Sequence, residues 1–88
     1  MKKFKAVITV GLKPEVNDIK AITLKDAVSN FIDVKDFECK TFNTYAIEFC
    51  AKNKIEAEKT ARKIAENILS NGVIEEYNIQ WENPYVRD

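Results

Sequence analysis

Apolar residues in this chain switch between a period of two and a period of about 3.6, and the switching sets the order of its elements. From Phe4 to Leu12 they alternate. Phe4, Ala6, Ile8, Val10 and Leu12 fall on one face, and Lys3, Lys5, Val7, Thr9 and Lys13 fall on the other. That is a strand with one side on a core, and Pro14 stops it. Asn17 and Asp18 can accept from the free N–H groups of a following helix. Ala21, Leu24, Ala27, Val28 and Phe31 then recur at helical spacing, with the end expected near Asn30.

Val34 to Lys40 and Thr44 to Ala51 read as two further strands, joined by a short turn at Phe42-Asn43-Thr44. Such a turn sets Cys39 opposite Glu48 and makes Cys39 and Cys50 small buried residues. Asn53 followed by Glu56 resembles a capping box. Ala57, Ala61, Ile64, Ala65 and Ile68 form the stripe of a second helix, whose alanines allow close approach to a sheet. Asn71-Gly72 closes that helix, glycine being suited to a left-handed terminus. Val73 to Glu82 supplies the last strand, and Pro84 begins a short tail. The order is β-α-β-β-α-β. The expected fold is an α+β two-layer sandwich, a four-stranded and mainly antiparallel sheet with two helices on one face. The other face is left for water or a second subunit.

With 88 residues, the chain reads as one domain spanning 1–88. A core this small has a thin margin, usually widened by disulfides, a metal or self-association. Two cysteines and no histidine leave self-association as the favoured route. Lys plus Arg equals Asp plus Glu at fourteen each, so the basic excess of a dedicated nucleic-acid binder is absent. The start imitates a signal peptide, but Lys5 breaks the apolar run and no small-residue cleavage site follows. No stretch reaches the ~20 apolar residues that cross a bilayer. A cytoplasmic location with reduced thiols is the expectation.

Catalytic chemistry is hard to write onto this composition. Nucleophilic catalysis of the Ser-His or Cys-His kind needs a base titrating near neutrality, and histidine is missing. Gly11 and Gly72 are the only glycines, so neither a P-loop nor a dinucleotide-binding turn can be formed. Glu75 and Glu76 point to opposite faces of a strand and cannot act as an acid–base pair within one chain. A non-catalytic interaction subunit remains. The alternative is an RNA-binding or small-molecule-sensing domain of the same topology. Thr44-Tyr45-Ala46-Ile47-Glu48-Phe49 echoes the aromatic strand of RNA-recognition domains, but Ile47 stands where a stacking ring belongs.

Two segments carry a more specific resemblance. Val10-Gly11-Leu12-Lys13-Pro14-Glu15-Val16-Asn17-Asp18 resembles the first-strand motif of the PurS family, where a strand runs into Leu-Lys-Pro and an Asp opens the helix. Ile68 to Ile79, with Asn71-Gly72-Val73-Ile74-Glu75-Glu76-Tyr77 at its centre, is similar to the family's Asn-Pro-Val-Ile-Glu-Asp-Tyr segment. Gly72 replaces the Pro. Asp18-Ile19-Lys20-Ala21 replaces Asp-Pro-x-Gly, and the Gly-Lys between strands two and three is missing.

The resemblance implies a small subunit of phosphoribosylformylglycinamidine synthase, in purine biosynthesis. It implies a PurQ-type glutaminase that releases ammonia and a PurL-type synthetase that uses ATP and magnesium to activate the amide oxygen for displacement. It further implies that this chain binds no cofactor or metal, forms a homodimer or larger assembly in which the sheet is extended or elements are swapped, and docks both partners. No nucleic acid or membrane partner is implied. Lys13, Glu75 and Tyr77 are candidate interface residues. Pro14, Asp18, Asn71, Val73 and Ile74 are signature residues with a structural reading as turn, cap and core.

Overall fold

A computed structural model describes residues 1–82, so the tail from Pro84 lies outside the described residues. The elements are β1 (Lys2–Leu12), α1 (Ile19–Phe31), β2 (Phe42–Ala51), α2 (Lys54–Ile64), a π-helical segment (Ala65–Leu69) and β3 (Glu75–Trp81). The described strands form one antiparallel sheet in the order β2-β1-β3.

β1 forms the centre because its alternation is the cleanest. Phe4, Ala6, Ile8 and Val10 are all at most 1% exposed. On the same face the register sets Phe49, Ile47 and Tyr45 of β2 beside Phe4, Ala6 and Ile8. On the other side Trp81, Ile79 and Tyr77 of β3 lie beside Ala6, Ile8 and Val10. α2 and the π-helical segment close over this face with Ala57, Ala61 and Ala65, each 0% exposed. Only methyl groups separate helix from sheet, so large side chains of the strands fill the layer. Phe4 meets Phe49 and Trp81 at ring-centroid distances of 6.4 and 6.0 Å, within the range of favourable aromatic pairs.

The outer face is small and polar. Val7 lies between Ala46 and Gln80, and Thr9 between Thr44 and Asn78. Lys5 reaches Glu48 at 3.6 Å. Phe42 lies across Gly11, where a Cβ would come within 2.5 Å of its ring. Tyr45 and Phe49 are on the helix-covered face, so the aromatic echo of an RNA-binding strand does not form a stacking platform.

Four sequence expectations need correction. The strand expected over Val34–Lys40 is not formed in the single chain, and the sheet of described residues has three strands. Residues 42–44 pair with β1 rather than turning back, and Thr41 is held by Asp18. Phe42-Asn43-Thr44 is therefore no hairpin turn but the start of β2, and Glu48 lies opposite Lys5. The cysteines are not buried as a pair: Cys50 is exposed opposite Lys3, and half-buried Cys39 donates its thiol to the Ala21 carbonyl at 3.3 Å. Finally, α1 does not lie on the sheet of its own chain. Ala21 is its single buried residue, while Leu24 and Phe31 are 47% and 87% exposed. The molecule is correspondingly drawn out, 52 × 28 × 15 Å.

Asp18 anchors the start of α1 as expected. Its Oδ1 accepts from the Ala21 N–H at 2.9 Å, and its carboxylate also takes the Thr41 N–H and hydroxyl at 3.0 and 2.9 Å. The Ala21 and Thr41 N–H groups favour the charged form and hold its pKa below the ordinary 3.8. A carboxylate whose folded pKa is depressed stabilises fully above its unfolded pKa, and that contribution disappears as pH falls through the folded value. Helicity is thus expected to fall on acidification below about pH 4 in the native chain. In Asp18→Asn this acid-dependent step should be weaker, as read by circular dichroism.

Candidate functional site

The two segments that carry the family resemblance meet at one end of the sheet, where β1 finishes and β3 begins. Each is folded by local chemistry. Lys13 to Val16 is a turn closed by the Val16 N–H donating to the Lys13 carbonyl at 2.9 Å, with Pro14 at its second position. Proline is favoured there because its φ is already set.

The α2 end is tied off differently from the sequence expectation. The Ser70 N–H and hydroxyl both donate to the Ala65 carbonyl, at 3.0 and 2.7 Å, an i→i+5 closure that gives the π-helical segment. Gly72 has no positive φ, and a Cβ there would meet open space. Asn71 makes the turn instead. Its side-chain oxygen accepts from the Val73 N–H at 3.0 Å, and its carbonyl accepts from the Ile74 and Glu75 N–H groups at 3.1 and 2.7 Å. Glu75 replies by accepting the Asn71 N–H at 2.7 Å.

Lys13 joins the two segments. Its Nζ donates to the Gly72 carbonyl at 2.8 Å and its N–H to the Ile74 carbonyl at 2.9 Å. Tyr77 donates its hydroxyl to Glu66 at 2.6 Å, tying β3 to the π-helical segment. That bond favours the neutral phenol and raises the Tyr77 pKa above 10.0, with burial adding in the same direction and Arg62 opposing it. In a spectrophotometric titration Tyr77 should ionise late, above the ordinary 10.0. Glu66→Gln should bring its midpoint down, and Tyr77→Phe should remove the late phase.

Lys13, Asn71 and Glu75 are therefore brought together as one hydrogen-bonded frame, with the Tyr77–Glu66 pair as a separate tie beside it. Asp18 belongs to the neighbouring anchor with Thr41. Val73 is not core: it is 80% exposed at the turn, and Ile74 is 39% exposed. Two open clefts of about 300 Å³ flank the frame, sharing Glu75; one includes Gly11, Asp18 and Phe42, the other Glu66, Gly72 and Tyr77. Sequence reasoning missed Thr41 and Glu66. Thr41 carried no signal, because its partner is far along the chain. Glu66 could have been found as the acceptor that a signature tyrosine needs.

Among the described residues, no helix is long and apolar enough to cross a membrane. The frame holds hydrogen bonds that fix backbone, and its Glu75 carboxylate is engaged in them.

Solved structures share this fold along nearly the whole chain. A chain of the PurLQS assembly from Thermotoga maritima is 26% identical, covers 93% of this chain and 100% of its own length, and superposes with a TM-score of 0.85. Methanocaldococcus jannaschii PurS, a subunit of formylglycinamide ribonucleotide amidotransferase, is 23% identical with coverages of 90% and 95% and a TM-score of 0.78. The purS subunit of phosphoribosylformylglycinamidine synthase from Thermotoga maritima is 27% identical, with coverages of 91% and 92% and a TM-score of 0.68. No curated protein matches the sequence. The family model for PurS, phosphoribosylformylglycinamidine (FGAM) synthase, matches residues 5–83, and the chain belongs to the PurS family.

Proposed function

We propose that this chain is the non-catalytic PurS subunit of phosphoribosylformylglycinamidine synthase, a ligase of purine biosynthesis, and that it works by holding other subunits together. The observation that carries this reading is the solvent-exposed apolar side of α1. A helix of 13 residues is marginal in water without tertiary packing. Yet Ile22, Leu24 and Phe31 of α1 are 51%, 47% and 87% exposed in the single chain. Such a helix needs cover from outside its own chain.

The first source of cover is a second copy. Each chain offers an unpartnered helix together with a sheet face closed by only one helix, so two copies can complete each other as a homodimer. Covering α1 in this way also brings the irregular Val34–Lys40 segment to a foreign sheet edge, where it can extend the sheet. PurL-type synthetase and PurQ-type glutaminase subunits then dock on the dimer. The related PurLQS assembly supports this choice of partners.

ATP and magnesium act on the synthetase, ammonia is released on the glutaminase, and this chain helps pass it between them. The lack of histidine and of a glycine-rich phosphate loop fits a chain that holds no cofactor. A cytoplasmic location fits the same pathway.

Size-exclusion chromatography of this chain with PurL-type and PurQ-type subunits from the same source, with glutamine and ADP present, checks the assembly. Co-elution of all three is the expected result. Elution of this chain apart from both would refute the reading.

A further inference from the structure

α1 barely approaches any strand of its own chain, yet it is not left free. Past Phe31 the chain bends at residues 35 and 36, where Asp36 takes a φ of 55°. Aspartate is one of the few residues that tolerate this left-handed conformation. Residues 38–41 then run back along the helix as a strap.

Three ties hold the strap in place. Lys25 donates to Glu38 at 3.0 Å, and the Cys39 thiol donates to the Ala21 carbonyl at 3.3 Å. The Thr41 N–H and hydroxyl donate to Asp18 at 3.0 and 2.9 Å. Asp18, Ala21 and Lys25 are spaced i, i+3 and i+7, which is one face of a helix. Their partners follow in reverse order, so strap and helix lie antiparallel. The ties differ in strength. Lys25–Glu38 is an exposed pair and contributes little, and a thiol is a weak donor. Asp18 is an ionised acceptor, and bonds to a charged group are the strong ones.

We propose that Asp18 and Thr41 form a latch. Closed, it holds α1 and residues 38–41 together as one arm; open, it frees both while the sheet stays folded. The core permits this independence. Phe4 packs with Ala51 and Ala57, and Ile8 and Val10 pack with Ala65, all outside the arm. The latch is a property of one chain and stands whatever covers the outer side of α1.

The two cysteines report on it. Cys50 is exposed on β2, and Cys39 is half-buried in the strap. Labelling of the folded full chain with N-ethylmaleimide, resolved by peptide mass spectrometry, gives a rate for each. Thr41→Val removes a hydroxyl bond to a charged acceptor and should speed Cys39 roughly tenfold, with Cys50 unchanged. Thr41→Ser keeps the hydroxyl and should stay near the wild-type rate. Hydrogen exchange gives a second reading: in Thr41→Val the Ala21 N–H should lose protection while the amides of β1 keep theirs. An unchanged Cys39 rate in Thr41→Val overturns the latch. A parallel rise at Cys50 and in β1 exchange also overturns it, because the arm then opens only with the whole chain. Thr41→Ser labelling as fast as Thr41→Val does the same, since the hydroxyl is then not what holds the strap.

Discussion

Phe4→Ala is expected to lose about 3–5 kcal/mol of stability, the usual cost of removing a fully buried phenylalanine. Phe4 is 0% exposed and is the largest fully buried side chain, packed with Ala51, Ala57, Phe49 and Trp81. The helix above it is already in contact through alanine methyls, so it cannot descend to fill the space. A domain holds only about 0.05–0.15 kcal/mol per residue. The substitution therefore removes a large share of what 88 residues can have. A urea titration should show a much lower midpoint at an unchanged slope. Phe49→Ala, at a half-exposed position on the edge strand β2, should cost clearly less. Equal losses would mean that the core does not centre on β1.

The second large effect concerns assembly. Leu24→Glu with Phe31→Glu leaves helix propensity almost unchanged, since glutamate is a good helix former. It places two charges on the apolar side of α1, which the single chain leaves in water. If a second copy covers that side, burying two unpaired carboxylates is prohibitive, and the dimer should give way to monomer at micromolar concentration. The released α1 is too short to persist alone, so helicity at 222 nm should drop in the same sample. Wild-type mass and helicity in the variant would show that α1 is not covered by a second copy.

Much of the fold can be read from the order of residues. β1 was legible because five apolar side chains alternate without interruption, and α2 because its alanines repeat with an Asn53 cap that the structure forms at 2.9 Å to the Glu56 N–H. Asp18 as the α1 cap was legible for the same reason: capping is local chemistry. Errors came where a decision depends on distant partners. Val34–Lys40 has strand-like residues, but the turn that would fold it back onto the outer edge of β2 is not made, because Phe42-Asn43-Thr44 pairs with β1 instead. The alanine and leucine stripe of α1 announced a buried side, and in the single chain only Ala21 of it is buried.

The site divides along the same line. Asn71 and Pro14 have turn chemistry that sequence carries directly. The Lys13–Gly72 bond spans 59 residues and depends on how β1 and β3 align, so no local pattern shows it. Gly72 misled, because a glycine after a helix usually marks a left-handed residue. Here Asn71 makes the turn and Gly72 only presents its carbonyl. The family's proline at this position is compatible with that backbone, since a positive φ is not needed.

Reconstituted synthase activity tests the central claim most directly. With PurL-type and PurQ-type subunits present, adding this chain should raise amidine formation when glutamine is the nitrogen donor and change it little when ammonia is supplied in excess. The chain alone should turn over nothing. A glutamine-supported rate indifferent to this chain, or turnover by the isolated chain, would contradict the account.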